Sequence, residues 1–350
     1  MSRFEPEYRQ MLQQLIEGRD LEGPELQRFV GDVMDGRCDP AVVAGVLVAL
    51  RAKGETAREV AAAARAMRER ALSVPVGESR LSVDTCGTGG DGADTVNIST
   101  AAALLASACG VPVAKHGNRS VSSRCGSADV LEVAGVRLDL EPEALGRLHD
   151  EIGIAFLFAP RLHPAMGAVM PVRRALAVRT VFNLLGPLTN PVGVRRQVVG
   201  VWGRGVQELV AEALAELGAT HALVVHSDDG LDEVSAMAPT AVIEVVDGEV
   251  SGRWVADPDL LGLEADRPAS LEGGTVEDNA RRLEEILAGE ERSAATEAVA
   301  VNAAAALYVA GEATGLRDGL DRARETLRSG AALVKLRALA ERSTELAGHA

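Results

Sequence analysis

The chain has 350 residues and a mass of 36.5 kDa, a length that predicts two domains, or one large domain with an appendage, because a domain averages roughly 150 residues. Its composition, 47% hydrophobic and 25% charged, is that of a folded globular protein and excludes a disordered, collagenous or disulfide-stapled chain. A formal net charge of −15 argues against a general binder of nucleic acid or of acidic membranes.

The cysteine content and the N-terminal segment indicate the compartment. The four cysteines, at 38, 86, 109 and 125, form no CxxC pair, and the first residues, MSRFEPEYRQ, contain no secretory signal. We therefore expect free thiols in a reducing compartment, the cytoplasm. The longest uncharged run, 95–114, contains several polar residues and a Gly-x-Pro break, so it predicts a soluble protein without a membrane helix.

Periodicity predicts an α/β fold with an N-terminal helical domain and a larger α/β domain that has a central, mainly parallel sheet. Apolar residues recur at helical spacing from residue 5 to about 72, interrupted by Gly-Pro at 23–24 and Asp-Pro at 39–40. Short strands then alternate with helices; the predicted strands are 81–84, 111–113, 154–158, 198–201 and 221–225. We expect residues 1–72, with about 166–190, to form the helical domain, and 73–165 and 191–350 the α/β domain. A long surface loop is predicted over 257–274, and helices from 278 onward.

A glycine-rich segment follows the first predicted strand. Four glycines lie within residues 87–92, just before a predicted helix that begins near Asn97 or Ser99. Glycines let a phosphate approach the backbone, and a helix N-terminus offers free N–H donors. The segment predicts a phosphate-binding turn, with a plain strand-to-helix turn as the alternative.

Cationic side chains follow the second predicted strand. Lys115, Arg119 and Arg124 lie within ten residues, beside Asn118 and several serines, and Lys115 is one of only three lysines in the chain. Loops at the carboxyl ends of neighbouring parallel strands share one crevice. This loop and the glycine-rich segment therefore predict a pocket for more than one phosphate; a solvated charged loop is the alternative.

Four carboxylates lie within six residues after strand 221–225, at Asp228, Asp229, Asp232 and Glu233. They repel one another unless a cation lies among them, and Mg²⁺ prefers hard oxygen ligands. The spacing predicts a magnesium site, with an acidic surface turn as the alternative.

A second basic segment, 161–180, places Arg173 on a predicted helix. Its planar guanidinium is suited to binding a carboxylate. Arg174 and Arg179 are interpreted as charges near a helix end. The two proline-closed turns within 182–191 predict a hinge or a packing element.

Several motifs together resemble the anthranilate phosphoribosyltransferase family, whose architecture is shared with nucleoside phosphorylases. In chain order the motifs are Gly87-Thr-Gly-Gly-Asp91, Asn97-Ile-Ser-Thr100, Lys115-His-Gly-Asn-Arg119 with Ser122-Ser123, Gly126-Ser-Ala-Asp129, Phe182-Asn-Leu-Leu-Gly-Pro-Leu-Thr-Asn-Pro191 and Asp229-Gly-Leu-Asp-Glu-Val-Ser235. The likeness extends from the N-terminal helices to about Thr240 and continues more weakly to the end. Ala177 stands where this family usually has glycine.

The resemblance implies transfer of the phosphoribosyl group from phosphoribosyl pyrophosphate (PRPP) to the amino group of anthranilate, giving N-(5-phosphoribosyl)anthranilate and pyrophosphate, in tryptophan biosynthesis. It implies a Mg²⁺-dependent homodimer with a pair of ions per subunit, acting on small molecules and not on nucleic acid or membrane. No side chain is expected to be an indispensable acid or base, because the neutral amine already carries the attacking lone pair. Lys115 and Arg119 are expected to act electrostatically.

The same resemblance assigns residues to three subsites. The PRPP site is expected to comprise Gly87, Gly90, Asp91, Thr95, Asn97, Ile98, Ser99, Thr100, Lys115, His116, Gly117, Asn118, Arg119, Ser120, Val121, Ser122, Ser123 and Ser127. The anthranilate site is expected to comprise Gly87, Asn118, Arg173, His116, His163 and Met166. The expected metal ligands are Ser99, Asp232 and Glu233.

Three other functions fit parts of the pattern. A pyrimidine nucleoside phosphorylase also binds ribose and phosphate, but its glycine and lysine motifs differ, and the Asp232-Glu233 pair favours a pyrophosphate donor. A non-catalytic homologue that binds nucleic acid through the same anion site is opposed by the net charge of −15. A dinucleotide oxidoreductase fits the GxGxxG spacing of Gly87, Gly89 and Gly92, but the next strand leads to Lys115 and not to an acidic ribose ligand.

Overall fold

The computed structural model describes residues 5–77, 81–120, 124–264 and 271–348. The helices in these ranges are α1 Glu5–Ile16, α2 Gly23–Met34, α3 Pro40–Lys53, α4 Ala57–Arg68, α5 Ile98–Ala108, α6 Ser127–Val133, α7 Pro142–Ile152, α8 Ala159–Leu162, α9 Met166–Leu176, α10 Arg204–Glu216, α11 Pro258–Leu261, α12 Val276–Leu287, α13 Ala294–Ala310, α14 Leu316–Arg328 and α15 Ala331–Ala347. The strands are β1 Val83–Asp84, β2 Val113–Gly117, β3 Ile154–Phe158, β4 Arg196–Gly200, β5 His221–Ser227, β6 Thr240–Val246 and β7 Glu249–Ala256.

The N-terminal helices begin where the sequence provides caps. Asp39 accepts a hydrogen bond from the Ala41 N–H at the start of α3, which has proline in its first turn. Thr56 and Glu59 form a reciprocal capping box at the start of α4. The predicted helical segment with breaks at 23–24 and 39–40 is confirmed.

The sheet has the strand order β3-β2-β1-β4-β5-β6-β7. Strands β1 to β5 run parallel, and β6 and β7 are antiparallel. The predicted α/β class with a central, mainly parallel sheet is therefore confirmed. The order reverses between β1 and β4, and ligands of doubly wound sheets bind at such a switch point, beyond the carboxyl ends of the strands.

The antiparallel edge of the sheet was not predicted, and one strand lies further along the chain than predicted. The Asp247-Gly248 turn that joins β6 to β7 has positive φ at both residues, 48° and 79°, as in the type I′ hairpin turns that favour Asp-Gly. The Asp-Gly dipeptide could have predicted this hairpin from the sequence. β2 begins at Val113 and extends to Gly117, so Lys115 and His116 are strand residues and not loop residues as predicted.

Two apolar cores cover opposite faces of the sheet. Alternate residues of β4 point into different cores, Val198 into one and Val199 into the other. The first core contains α5, α13 and α15, and the second joins α10 to the N-terminal helices. The loops beyond the strand ends are therefore carried on a sheet that is packed on both faces.

The segment after β3 returns to the N-terminal helices, where α9 packs against α2 and α3. The predicted domain boundaries stay a prediction. The surface loop predicted over 257–274 contains the short helix α11, and its residues 265–270 lie outside the described ranges. No helix in the described ranges is long and apolar enough to cross a membrane.

Candidate active site

The glycine-rich loop leaves β1 and turns sharply beside the end of β4. Gly89 and Gly90 have φ of 64° and 81°, a backbone region that L side chains rarely adopt, so two glycines are required there. The Thr88 N–H donates to the Gly200 carbonyl at 2.8 Å, which ties the loop to β4. This geometry leaves Gly89 and Gly90 exposed at the switch point.

The acidic loop after β5 approaches the same point through a second glycine contact. A Cβ built on Gly200 would lie 1.4 Å from the Asp232 carbonyl oxygen, so only glycine admits this backbone. One on Gly87 would lie 3.0 Å from Asp232 Oδ2, and the Gly89 N–H donates to that same oxygen at 2.9 Å. The glycine-rich loop, the end of β4 and Asp232 therefore pack as one unit.

Three carboxylates converge there: Asp91, Asp232 and Glu233 offer oxygens that all lie within 4.8 Å of one another. Burial raises the pKa of Asp232, and the nearby charge of Asp91 raises it further. Burial also raises the pKa of Glu233 well above its ordinary value, and the charge of Asp232 adds to this effect. Crowded, desolvated carboxylates are stabilised by a cation.

These residues fit a magnesium ion. The set consists of hard oxygen ligands, and Glu233 Oε2 is buried without a hydrogen-bond partner among the described residues. The predicted metal ligands Asp232 and Glu233 lie together, whereas Asp91, predicted to bind PRPP, joins their cluster. The other predicted acidic residues of this loop have protein partners: Asp228 pairs with Arg204, and Asp229 accepts from the Ser235 hydroxyl at 2.6 Å.

Lys115 places a buried cation beside this cluster. Its Nζ lies 3.4 Å from the Thr85 carbonyl, 3.4 Å from Thr85 Oγ1 and 3.4 Å from Ser99 Oγ. These contacts are long for hydrogen bonds, so the ammonium keeps donor capacity for an anion. The charge of Lys115 lowers the pKa of Glu233, opposing the effect of burial. Ser99, a predicted metal ligand, lies on the Lys115 side of the site.

The residues around the start of α5 differ in their contacts and burial. Asn97 occupies the N-cap position of α5, but its side chain makes no cap bond and instead donates to the Cys125 carbonyl at 3.2 Å. Ile98 and Thr100 are buried, and Thr95 forms an isolated bridge with Glu272. Asn97 thus links the helix start to the segment that carries the predicted phosphate-binding serines.

The loop after β2 packs closely against side chains at the start of α6. A Cβ on Gly117 would lie 2.5 Å from Ser127 Oγ, and Ser127 Oγ donates to the Asn118 carbonyl at 3.2 Å. The Ser120 N–H donates to Asp129 at 3.1 Å. Val121, Ser122 and Ser123, which were assigned to the PRPP site, lie outside the described residues.

Arg119 is engaged by protein carboxylates. Its guanidinium donates to Asp129 at 2.8 Å and to Glu132 at 2.8 and 3.0 Å, and it lies over the Phe158 ring. The hydrogen bonds to these carboxylates raise its pKa. The predicted electrostatic role of Arg119 toward a ligand stays a prediction, and its observed contacts fix the base of the loop.

Two neutral histidines lie behind the site. His116 and His163 are buried with ring centroids 5.1 Å apart, and His116 Nδ1 lies 3.0 Å from the Gly186 carbonyl. Burial lowers the pKa of His116 to about 3 and that of His163 to about 4. His116 Nε2 and both ring nitrogens of His163 lack hydrogen-bond partners among the described residues. This is a buried polar pair without positive charge.

Asp84 contacts the backbone of one member of this pair. Its carboxylate accepts from the His116 N–H at 3.1 Å and from Asn190 Nδ2 at 2.8 Å. Burial raises the pKa of Asp84 to about 6, an effect opposed by the charge of Lys115. The 182–191 segment is thereby packed against β1 and β2, in agreement with its predicted packing role.

Arg173 and Met166 lie on α9, in the segment that returns to the N-terminal helices. Arg173 is partly buried, burial lowers its pKa, and no carboxylate in the described ranges pairs with it. An unpaired, desolvated guanidinium is suited to an anionic ligand. Met166 is partly buried at the start of the helix.

Arg179 makes a tertiary contact instead of serving as a charge near a helix end. α9 ends at Leu176, and Arg179 lies beyond it, where its Nη2 donates to the Gly90 carbonyl at 2.6 Å. The guanidinium also lies 4.4 Å from the ring centroid of Trp202, a cation–π contact. Arg179 therefore holds the glycine-rich loop from the returning segment, a tertiary contact that local spacing does not reveal.

Comparison with known proteins identifies the family. The helical bundle domain of a glycosyl transferase family matches residues 9–71, and the α/β domain of that family matches residues 79–333. The anthranilate phosphoribosyltransferase of Laribacter hongkongensis is 49% identical over 340 residues, which cover 97% of this chain and 99% of that protein. The chain belongs to the anthranilate phosphoribosyltransferase family.

Solved structures of anthranilate phosphoribosyltransferases match the whole fold. The Thermus thermophilus enzyme has a TM-score of 0.90 at 45% identity, with 95% of this chain and 99% of that chain covered. The Saccharomyces cerevisiae enzyme in complex with PRPP and Mg has a TM-score of 0.89 at 27% identity, with 97% and 99% covered. The same enzyme in complex with 4-fluoroanthranilate gives 0.87 at 26% identity, with 97% and 99% covered.

Proposed function

We propose that this chain transfers the phosphoribosyl group of PRPP to the amino group of anthranilate, giving N-(5-phosphoribosyl)anthranilate and pyrophosphate. The observation that carries the proposal is the meeting of two loops and strand β2 at the β1/β4 switch point. They bring together the glycine-rich turn, the buried cation Lys115 on β2 and the carboxylates of Asp91, Asp232 and Glu233. Such a set suits a diphosphate accompanied by a metal ion.

The chemistry of the donor half follows from charge. When the bond between ribose C1 and pyrophosphate breaks, positive charge develops on the sugar carbon and negative charge on the departing oxygens. Backbone N–H groups of the glycine-rich turn and the Lys115 ammonium are fixed before the reaction and stabilise the departing oxygens without reorganisation. Asp232 and Glu233, with Ser99 as a further proposed ligand, would hold a magnesium ion, which would supply additional neutralisation of the pyrophosphate.

The acceptor half requires recognition of a carboxylate on an aromatic ring. The Arg173 guanidinium is unpaired among the described residues and partly buried, so it is available for that carboxylate. His116, His163 and Met166, with Asn118 and Gly87, are the remaining proposed contacts. Neutral histidines pack against an aromatic ring without adding a charge that would repel the developing cation at ribose C1.

No side chain is proposed as an indispensable acid or base. The unprotonated amine of anthranilate carries its own nucleophilic lone pair, and burial holds His116 and His163 neutral with pKa values of about 3 and about 4. We expect His116→Ala and His163→Ala to keep most of their turnover at saturating substrates, because catalysis rests on positioning and leaving-group stabilisation. Near-complete loss of kcat in either variant contradicts this.

A fluorescence assay of anthranilate consumption tests the proposed function. In a mixture of purified protein, anthranilate and PRPP, the anthranilate fluorescence should decrease only when Mg²⁺ is present. The amount of pyrophosphate released should equal the amount of anthranilate consumed. Omission of PRPP and addition of a chelator are the controls. No consumption, together with metal-free phosphorolysis of thymidine, would instead assign the chain as a pyrimidine nucleoside phosphorylase.

We propose in addition a cytoplasmic homodimer that holds a pair of magnesium ions per subunit. The free state of Cys38, Cys86, Cys109 and Cys125 supports a reducing compartment. Light scattering at several protein concentrations measures the assembly, and a metal titration in the presence of PRPP counts the ions.

A further inference from the structure

A buried amide contacts the loop that carries the metal-binding carboxylates. Asn302 lies in α13, a helix otherwise composed mainly of alanine and valine. Its Oδ1 accepts from the Val234 N–H at 3.0 Å, and its Nδ2 donates to the Val234 carbonyl at 2.8 Å. Nδ2 also donates to the Ala298 carbonyl at 2.8 Å, so the polar atoms of the side chain have partners.

These bonds restrain the peptide groups next to Glu233. The Val234 N–H belongs to the peptide that begins with the Glu233 carbonyl, so fixing it fixes the backbone from which the Glu233 side chain departs. On the other side, the Asp232 carbonyl lies against Gly200 with no room for a Cβ. The Asp232-Glu233 pair is therefore held between Gly200 on β4 and Asn302 on α13.

The remaining loop bonds do not replace this restraint. Ser235 Oγ accepts from the Met237 and Ala238 N–H groups at 3.0 and 3.2 Å, and the Ser235 N–H donates to Thr240. These contacts organise the part of the loop that follows Val234. Without Asn302, the Val234 N–H and carbonyl would be buried without partners, which the backbone would relieve by shifting.

We propose that Asn302 is a positioning residue for the metal site, acting through the Val234 backbone to hold Asp232 and Glu233 in a geometry that binds a divalent cation. The inference rests on the proposed function only in its choice of magnesium. Groups that orient metal ligands typically change metal affinity by about tenfold to a hundredfold when removed. A residue that merely fills the core would change stability and leave metal affinity unaltered.

Gln207 provides a matched control. It is also a buried side-chain amide on a helix, and its Nε2 donates to the Val224 and Ala241 carbonyls at 2.9 and 2.8 Å. These carbonyls lie within β5 and β6, away from residues 232–234. Asn302→Leu and Gln207→Leu each replace a buried amide by an apolar group, so both should be destabilised.

The experiment measures Mn²⁺ binding to the substrate-free protein by electron paramagnetic resonance, and the Mg²⁺ concentration that gives half-maximal anthranilate consumption. We expect Asn302→Leu to weaken both by about tenfold, with faster deuterium uptake at the Val234 amide, and Gln207→Leu to leave both within about twofold of the unchanged protein. Equal metal affinities in the two variants would overturn the inference. If Asn302→Leu does not fold, Asn302→Ser, which leaves room for a bridging water, should show a smaller change in the same direction, and no change would also overturn it.

The outcome separates this inference from the proposed function. A protein that binds Mn²⁺ in an Asn302-dependent way but consumes no anthranilate would sustain the positioning role and refute the assigned reaction. A protein that consumes anthranilate with a Mg²⁺ dependence unaffected by substitution of Asn302 would sustain the assigned reaction and refute the positioning role.

Discussion

Arg173 is the cation that we assign to the proposed acceptor half of the site. Its guanidinium is partly buried and unpaired among the described residues, whereas Lys115 lies with the carboxylate cluster. A hydrogen bond to a charged group contributes about 1.5–3 kcal/mol. We therefore expect Arg173→Gln to raise KM for anthranilate by roughly tenfold to a hundredfold, with little change in KM for PRPP.

Arg174→Gln is the matched control, because Arg174 is the next residue of the same helix, exposed and unpaired in the described part of the chain. Steady-state kinetics with each substrate varied in turn provide the measurement. A larger effect of Arg173→Gln on PRPP than on anthranilate would contradict the assignment of Arg173 to the acceptor.

The buried histidines predict how stability depends on pH. Burial lowers the pKa of His116 to about 3 and of His163 to about 4 in the folded state, from an ordinary value of 6.5. At these two positions the unfolded chain therefore binds more protons between these values, so the contribution of the histidines to stability falls as pH falls below about 6.5. As the pH falls from about 7.5 to about 5, each histidine should lower the free energy of unfolding by roughly 2 kcal/mol.

Urea unfolding at several pH values measures this, with His163→Gln compared to the unchanged protein. The variant should lose stability less steeply between about pH 7.5 and pH 5, because the titrating group is absent. An identical pH dependence in the two proteins would show that His163 is not held neutral by burial.

At the scale of elements, the end of α9 carries backbone strain. Ala177 caps the helix in a left-handed conformation, with φ of 51° and ψ of 28°, and its N–H donates to the Arg173 carbonyl at 3.0 Å. An L residue there costs about 1–2 kcal/mol, and glycine loses about 0.4–1 kcal/mol through its freer unfolded state. Ala177→Gly should therefore stabilise the protein by roughly 0.5–1 kcal/mol.

Ala175→Gly, within the last turn of α9, is the control and should destabilise the protein by about 1 kcal/mol. Chemical denaturation gives both values. If Ala177→Gly lowers stability, the left-handed conformation at this position is not a source of strain.

Local sequence patterns predict where some of these elements begin or turn, but not where all of them end. Capping residues such as Thr56 and Glu59 predict where helices begin because the bonds involved are local. The glycine-rich turn is equally local, since the backbone of Gly89 and Gly90 requires glycine wherever the chain goes next. In contrast, β2 ends at Gly117 because its pairing with β3 continues to Phe158, which no local pattern specifies.

Contacts between distant segments were not predictable from single motifs. Arg179 reaches the Gly90 carbonyl, and Asp91 joins Asp232 and Glu233, only because the sheet brings β1, β4 and β5 side by side. The sequence motifs predicted which loops form the site, and the tertiary fold decides which atoms meet. Asn302 belongs to this second class, and its one sequence signal is an amide within an apolar helix.

At the scale of the whole molecule, the site lies at the point where the strand order reverses, on a sheet that is covered by an apolar core on each face. The proposed donor loops extend from the sheet, while Arg173 is carried by α9, which packs on the N-terminal helices. We expect a relative movement of these parts to bring the proposed acceptor and donor subsites together and to exclude water. The proposed function thus requires one site at the switch point that binds both a diphosphate and a cation.

A crystal structure with PRPP and Mn²⁺ bound tests that claim most directly. We predict an anomalous peak beside Asp232 and Glu233, with ordered pyrophosphate against the N–H groups around Gly90 and within hydrogen-bond distance of Lys115 Nζ. PRPP and Mn²⁺ ordered elsewhere, or no ordered diphosphate in crystals of protein that binds PRPP in solution, would contradict the account.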